Sequence, residues 1–255
     1  MIDPAQVAET HAPPPAAPGT HARRVRRFFD TIAPRYDLGN RLFSAGLDHR
    51  WRSRTAALLG DDAGPTVLDL CCGTADLATA VLKRPVDRRV IACDFSRPML
   101  RAARRKLCEA RLARRVTLVE TDALRLPLAD RSVDAAVCAF GLRNLADPEA
   151  GLAEVARVVR PGGRVLVLEF HRPPRDGWPA RLFRLYFRRL LPRLGAWLSG
   201  SRAYAYLVDS IEAFGPIDRT AERMRRAGLD AVHVEPLPGG VAAAYVARRA
   251  AGGAV

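Results

Sequence analysis

The chain has 255 residues, 49% of them hydrophobic, which suits one α/β domain with an elaborated edge better than two full domains. No apolar run approaches the roughly 18 residues of a membrane span, and the first residues lack the apolar core of a secretory signal. The expectation is therefore a cytoplasmic protein, soluble or peripheral at the inner face of the cytoplasmic membrane. Lys and Arg number 41 against 27 acidic residues, a net charge of +14 that fits contact with anionic lipid or nucleic acid, or simply an arginine-rich composition.

Residues 1–22, rich in Pro and Ala, read as a disordered tail ahead of a folded domain over 23–250. From Arg23 the apolar positions Val25, Phe28, Phe29 and Ile32 predict a helix ended by Pro34, and a second basic helix is predicted over Asp48–Leu59. After a turn at 61–65 the chain alternates. Strands are predicted at Thr66–Leu70, Arg89–Cys93, Val116–Glu120 and Val133–Ala139, with helices at Asp76–Leu82, Pro98–Arg111 and Pro148–Val159. Pro161-Gly162-Gly163 turns into a fifth strand, Arg164–Phe170, and Ala231–Glu235 with Val241–Arg248 predict a final hairpin carrying an antiparallel strand. Short apolar strands separated by helices signal right-handed βαβ units and a parallel sheet. The five cysteines, Cys71, Cys72, Cys93, Cys108 and Cys138, include no CxxC pair, so neither a disulfide nor a metal site is expected.

The sharpest local signal is VLDLCCGTADLA, Val67–Ala78. A strand carrying Asp69 passes through a small-residue turn, Gly73-Thr74-Ala75, into a helix, at the sheet edge where open α/β folds bind ligands. Asp94 closes the second strand at the spacing that places an acid on a ribose, and Asp122-Ala123 follows the third, within reach of an adenine amino group. A dinucleotide site wants GxGxxG so that pyrophosphate meets a helix N-terminus. This loop has one glycine and an extra carboxylate, Asp76, which would repel pyrophosphate but suits a ligand carrying an ammonium and a sulfonium. The cofactor expected is S-adenosyl-L-methionine. Each carboxylate could instead be a turn or strand-end cap, and Thr74 a helix cap.

FFDTIAPRYDLGNRLFSAGLDHRWR (28–52), VLDLCCGTADLA, ACDFSRPML (92–100), FGLRNLADPEAGLAEVARVVRPGGRVLVLEF (140–170) and AYAYLVDSI (203–211) resemble the ubiquinone/menaquinone biosynthesis C-methyltransferases. The resemblance implies a doubly wound, Rossmann-like, seven-stranded class I methyltransferase fold with N-terminal helices and a helical lid insertion. It also implies C-methylation of a prenylated quinol. The CCGTAD wording resembles the menaquinone branch, hence 2-demethylmenaquinol, with the equivalent ubiquinone step as the alternative. Thr74, Asp94, Asp122 and Ala123 match cofactor-contacting positions, whereas a serine often found before FGLRN is Ala139 here.

For the chemistry, Arg143 is the candidate stabiliser of a developing phenolate and cannot itself be the base. Asn144 would orient a water or the quinol oxygen, and Tyr36, beside Asp37, would close the pocket. Arg143 could alternatively be an ion-pair partner of Asp147 or Glu154, and His49 and His171 are possible bases with structural readings of their own. Residues 178–215 are expected to form a substrate lid with membrane-facing helices. Within them, WPARLFRLYFRRLLPRLGAWL (178–198) interleaves arginines with large apolar residues, as at an anionic membrane surface. A homodimer is possible. The rival reading, an RNA methyltransferase, lacks the (Asp/Asn)-Pro-Pro-aromatic motif after the fourth strand, so no nucleic-acid partner is expected.

Overall fold

In the computed structural model, which describes residues 20–171 and 201–251, three helices precede the sheet: α1 (Thr20–Ile32), α2 (Tyr36–Phe43) and α3 (Leu47–Leu58). The sequence pattern missed α2, whose Gly39 and Asn40 are weak helix formers. As expected, α1 stops just before Pro34, at Ile32. Pro34 sits in the first turn of a short 3-10 segment, Ala33–Arg35, where its missing N–H costs nothing and the chain re-enters a helix at Tyr36.

The alternating region follows as β1 (Thr66–Leu70), α4 (Asp76–Leu82), β2 (Arg89–Asp94), α5 (Arg97–Glu109), β3 (Val116–Glu120), β4 (Val133–Ala139), α6 (Pro148–Val158) and β5 (Val159–Phe170). After the undescribed stretch come α7 (Ser201–Phe214), α8 (Ile217–Arg226), β6 (Leu229–Pro236) and β7 (Ala242–Arg249). Pro161-Gly162-Gly163 lies inside β5 as a bulge, the pairing with β4 jumping from Val133↔Val159 to Ala135↔Arg164.

The seven strands form one sheet in the order β3-β2-β1-β4-β5-β7-β6. All neighbours are parallel except that β7 runs antiparallel to both β5 and β6. This is the doubly wound, Rossmann-like methyltransferase fold. Helices cover both faces, which is why the strands are apolar without alternation. Leu68, Val133 and Val165 pack with Leu152 of α6 and Met224 of α8 in one cluster. Val67, Val137 and Leu166 pack with Leu59, Leu77, Val81 and Leu107 in the other. Leu166 is fully buried; shortening it to alanine would cost about 2–5 kcal/mol.

The chain winds outward from β1 to β3, then returns to β4 on the other side of β1, so β1 and β4 form the topological switch point, where such sheets open a crevice at their carboxyl ends. The registers hold Leu70, Cys93 and Cys138 level with one another. The residues that follow, Cys71, Asp94 and Ala139, therefore emerge along one edge. Among the described residues no helix is long and apolar enough to cross a membrane. The arginine-rich stretch 178–198 lies outside the described residues; of the expected lid, only α7 and the start of its link to α8 fall within them.

Candidate active site

A cavity of about 960 Å³ opens at this edge, lined by Asp94 at the end of β2 and Phe95 after it, Asp122 and Ala123 after β3, and Gly73. Asp94 is held from two sides. Its Oδ2 accepts the Gly73 N–H at 2.8 Å and its Oδ1 the Ser96 N–H at 2.9 Å. Burial outweighs these bonds and pushes its carboxyl up to about 6. Asp122 accepts the Leu124 N–H through Oδ1 at 2.9 Å, leaving the rest of its carboxylate for a ligand donor. Gly73 takes a φ of +54°, and a Cβ there would stand 3.7 Å from the Tyr36 ring.

Two predicted cofactor residues are not on the cavity wall. Asp69 sits one residue inside the end of β1 and accepts the Ala78 N–H at 3.0 Å, tying the strand to the first turns of α4. Buried there, its carboxyl is pushed up to about 8. Thr74 donates to Asp37 Oδ1 at 2.6 Å and accepts from Lys106 Nζ at 3.1 Å. The Lys106 ammonium also lies 2.6 Å from both Asp37 and Asp76, so these four side chains bind α2, the glycine loop, α4 and α5 together. Thr74 is not the helix cap either: Ala75 holds that position with no side-chain bond.

A second cavity, about 820 Å³, lies beneath α1, α2 and α3 and is lined largely by Phe28, Phe43, Phe170 and other apolar groups, with Arg35, Arg52 and Arg143 among them. Phe29, Tyr36 and Phe140 line both cavities. Tyr36 is the predicted closing residue; burial raises its phenol above the ordinary value despite Arg52 and Arg143 nearby, so it stays a hydrogen-bond donor.

Arg143 projects from the loop after β4 into the second cavity. Its Nη1 donates to Glu169 Oε1 at 2.7 Å and to the Phe140 carbonyl at 2.6 Å, while its own N–H reaches Glu169 Oε2 at 3.2 Å. Its ion-pair partner is thus Glu169, brought alongside by β5, and neither Asp147 nor Glu154. Asp147 caps α6 through the Glu149 and Ala150 N–H groups, and Glu154 pairs with Arg157. Asn144 donates to the same Phe140 carbonyl at 3.0 Å and accepts from the Tyr206 hydroxyl of α7 at 2.9 Å. Phe140 holds a left-handed φ of +58°, as do Cys71 at +55° and Ala75 at +63°. Non-glycine residues pay about 1–3 kcal/mol for such backbone, and at Phe140 two side chains grip the carbonyl that this conformation turns outward.

The two candidate histidines are elsewhere. His49 meets Arg41 at an exposed position, and neither it nor the buried His171 lines either cavity. Sequence reasoning overlooked Glu169, Lys106 and the Asp48–Arg52 pair. For the last a signal existed: an acid and a base at i,i+4 on a helix otherwise carrying core residues.

The chain belongs to the ubiE/COQ5 methyltransferase family, whose description matches residues 18–249, and it is a methyltransferase. It is 47% identical over 222 residues to the demethylmenaquinone methyltransferase of Thermus thermophilus, covering 87% of this chain and 99% of that one. It is 42% identical over 220 residues to the ubiquinone/menaquinone biosynthesis C-methyltransferase UbiE of Syntrophotalea carbinolica, covering 86% and 92%. Among solved structures, an S-adenosylmethionine-dependent methyltransferase from Aquifex aeolicus superposes with a TM-score of 0.56 at 19% identity over 89% of this chain and 98% of that one, a likeness of fold.

Proposed function

We propose that, as a member of this family, the enzyme transfers the methyl group of S-adenosylmethionine to a ring carbon of a prenylated quinol, converting 2-demethylmenaquinol to menaquinol. The observation that carries this reading is the shared wall: a carboxylate-bearing cavity and an aromatic, guanidinium-bearing one meet at Phe29, Tyr36 and Phe140. The first fits S-adenosylmethionine. Asp94 can accept ribose hydroxyls, Asp122 the adenine amino group, and Phe95, Met99 and Ala123 offer the base an apolar slot. The loop has neither the glycines nor the uncharged helix start that a pyrophosphate needs. When bound, this cofactor supplies an electrophilic methyl group on a sulfonium.

The residues of the second cavity would then do the remaining work. The aromatic walls exclude water, which strengthens every electrostatic interaction inside. Arg143, locked by Glu169 and stacked on Phe170 with its Cζ 5.4 Å from the ring centroid, stabilises the phenolate oxygen next to the reacting carbon, whose charge makes that carbon nucleophilic. Its Nε is buried without a partner among the described residues, while the guanidinium as a whole lines the cavity and can meet that oxygen or a water that takes the phenol proton. Asn144 fixes the Phe140 carbonyl and, through Tyr206, the position of α7 over the cavity. Tyr36 donates across the boundary of the two cavities and orients ring against methyl donor.

The same reading places the enzyme at an anionic membrane surface, supported by the net charge of +14 and by exposed Arg23, Arg24, Arg27, Arg41 and Arg50 on the helices around the second cavity. The test is transfer from methyl-labelled cofactor to reduced short-chain demethylmenaquinone, its benzoquinol counterpart and total RNA. Label on the naphthoquinol is expected, a faster benzoquinol would assign the other branch, and label only on RNA would overturn the substrate class.

A further inference from the structure

A buried ion pair stands in the second cavity without a role in the chemistry above. Asp48 and Arg52 are each 4% exposed. The Arg52 Nη1 donates to Asp48 Oδ2 at 2.7 Å, and Asp48 Oδ1 accepts the Ser44 hydroxyl at 3.0 Å. The Asp48 carboxylate is therefore occupied on both oxygens, whereas Arg52 spends one of its five donors and makes no other hydrogen bond among the described residues. None of its nitrogens is among the buried polar atoms left without a partner, so its remaining donors open onto the cavity. A purely structural pair on α3 would have turned the remaining donors onto backbone carbonyls, as Arg157 does with Leu126 and Leu128. Arg52 instead lines the cavity.

Its placement mirrors that of Arg143. The Arg52 Cζ lies 5.3 Å from the centroid of the Phe140 ring, and the Arg143 Cζ 5.4 Å from that of Phe170. The two rings are stacked on each other, 4.5 Å between centroids. The cavity, which Arg35 also lines, thus presents two guanidinium groups stacked one on each ring of the pair to whatever enters. A monohydric phenol could use one of them. A ring bearing oxygens on opposite sides could use both.

We propose that Arg52, aligned by Asp48, binds the ring oxygen across from the one served by Arg143, and so selects a quinol over a ring with a single hydroxyl. This rests on the quinol reading above. Arg52 takes no part in the methyl transfer; it adds a charge-assisted hydrogen bond that a one-hydroxyl ring cannot make, and such sites reject the analogue lacking the group because their buried donor is then left unpaired.

The experiment compares kcat/KM for reduced short-chain demethylmenaquinone with that for the same prenylated naphthalene lacking the far hydroxyl. It uses wild type, Arg52→Met, and the double variant Asp48→Leu with Arg52→Met, which strands no charge and keeps the fold testable if the single variant melts early. The ratio of the two efficiencies cancels general damage to the enzyme. It is expected to fall about tenfold to a hundredfold in both variants, the worth of one hydrogen bond to a charged group. Robust transfer with an unchanged ratio overturns the assignment and leaves the pair a structural clamp. Label on neither acceptor from the wild type overturns the quinol reading and this inference with it.

Discussion

Replacing Arg143 by alanine separates what the residue does for the fold from what it does for the reaction. In the fold, its Nη1 carries two bonds, to Phe140 and Glu169, and Glu169 is fully buried with its carboxylate aimed at that one guanidinium and the adjoining N–H groups of Arg143 and Phe170. Removing one member of a buried ion pair leaves the other uncompensated, at a cost of about 3–5 kcal/mol. For a domain of this size that lowers the melting temperature by about 2–4 °C per kcal/mol, or roughly 6–20 °C in all. In the reaction, loss of a preorganised donor at a developing oxyanion costs about 10²–10³ in kcat. Asp94 and Asp122 do not touch Arg143, so cofactor affinity should stay within about twofold. Thermal melts, single-turnover rates at saturating quinol and calorimetric cofactor titration give the three numbers. The decisive control is Arg143→Met with Glu169→Leu, which removes both charges and should recover most of the lost stability and none of the lost rate. A double variant that regained turnover along with its melting temperature would show that Arg143 only holds the loop, and would refute its catalytic assignment.

Three further outcomes follow from the site. Asp94, pushed up to about 6, must be ionised to accept ribose hydroxyls at full strength, so cofactor affinity should fall as pH drops through about 6; Asp94→Asn should bind more weakly at pH 8 and lose that pH dependence, as read by calorimetry between pH 5 and 8. Asp69 is pushed up to about 8, so the native state keeps a proton that the unfolded chain has lost above about pH 4. The folded protein binds more protons there, hence stability contributed at this site declines as pH rises from about 4 to 8, and Asp69→Asn, which can still accept from Ala78, should flatten that decline in urea midpoints taken at pH 5, 7 and 9. At Gly141 a Cβ would lie 2.4 Å from Cys71 Cβ, so Gly141→Ala should cost about 1–3 kcal/mol and, by parting the β1 and β4 loops, reduce kcat more than a surface alanine of equal stability; an unchanged chemical melt would refute the close approach.

The candidate residues that line the first cavity share one property: their position follows from the strand that carries them. Asp94 and the Asp122-Ala123 pair terminate short apolar runs, and in a parallel sheet the carboxyl ends of consecutive strands share an edge, so their convergence on one cavity required no knowledge of the helices. Asp69 departs from this because it lies one step short of the strand end, and a single residue of β register decides whether a carboxylate faces ligand or α4. Thr74 departs because Asp37 and Lys106 come from helices 37 and 32 residues away in sequence, and no local pattern announces them. The partner of Arg143 is on β5, 26 residues on, beyond the neighbours Asp147 and Glu154 that a linear reading offers.

By itself, then, the sequence determined the order and type of the alternating elements, the edge where they open and the class of ligand their carboxylates suit, since all of these depend on local periodicity and on the invariant handedness of βαβ connections. Only the tertiary structure decided that a second cavity exists and what it presents. Its walls come from α1, α2 and α3, from the 3-10 segment between α1 and α2, from the loop after β4, from the end of β5 and from α7, segments whose meeting depends on long-range packing over the switch point. Packing of that kind is set by the shapes of whole faces rather than by any stretch of residues, and it is what brings Arg52, unremarked on its own helix, to the same space as Arg143.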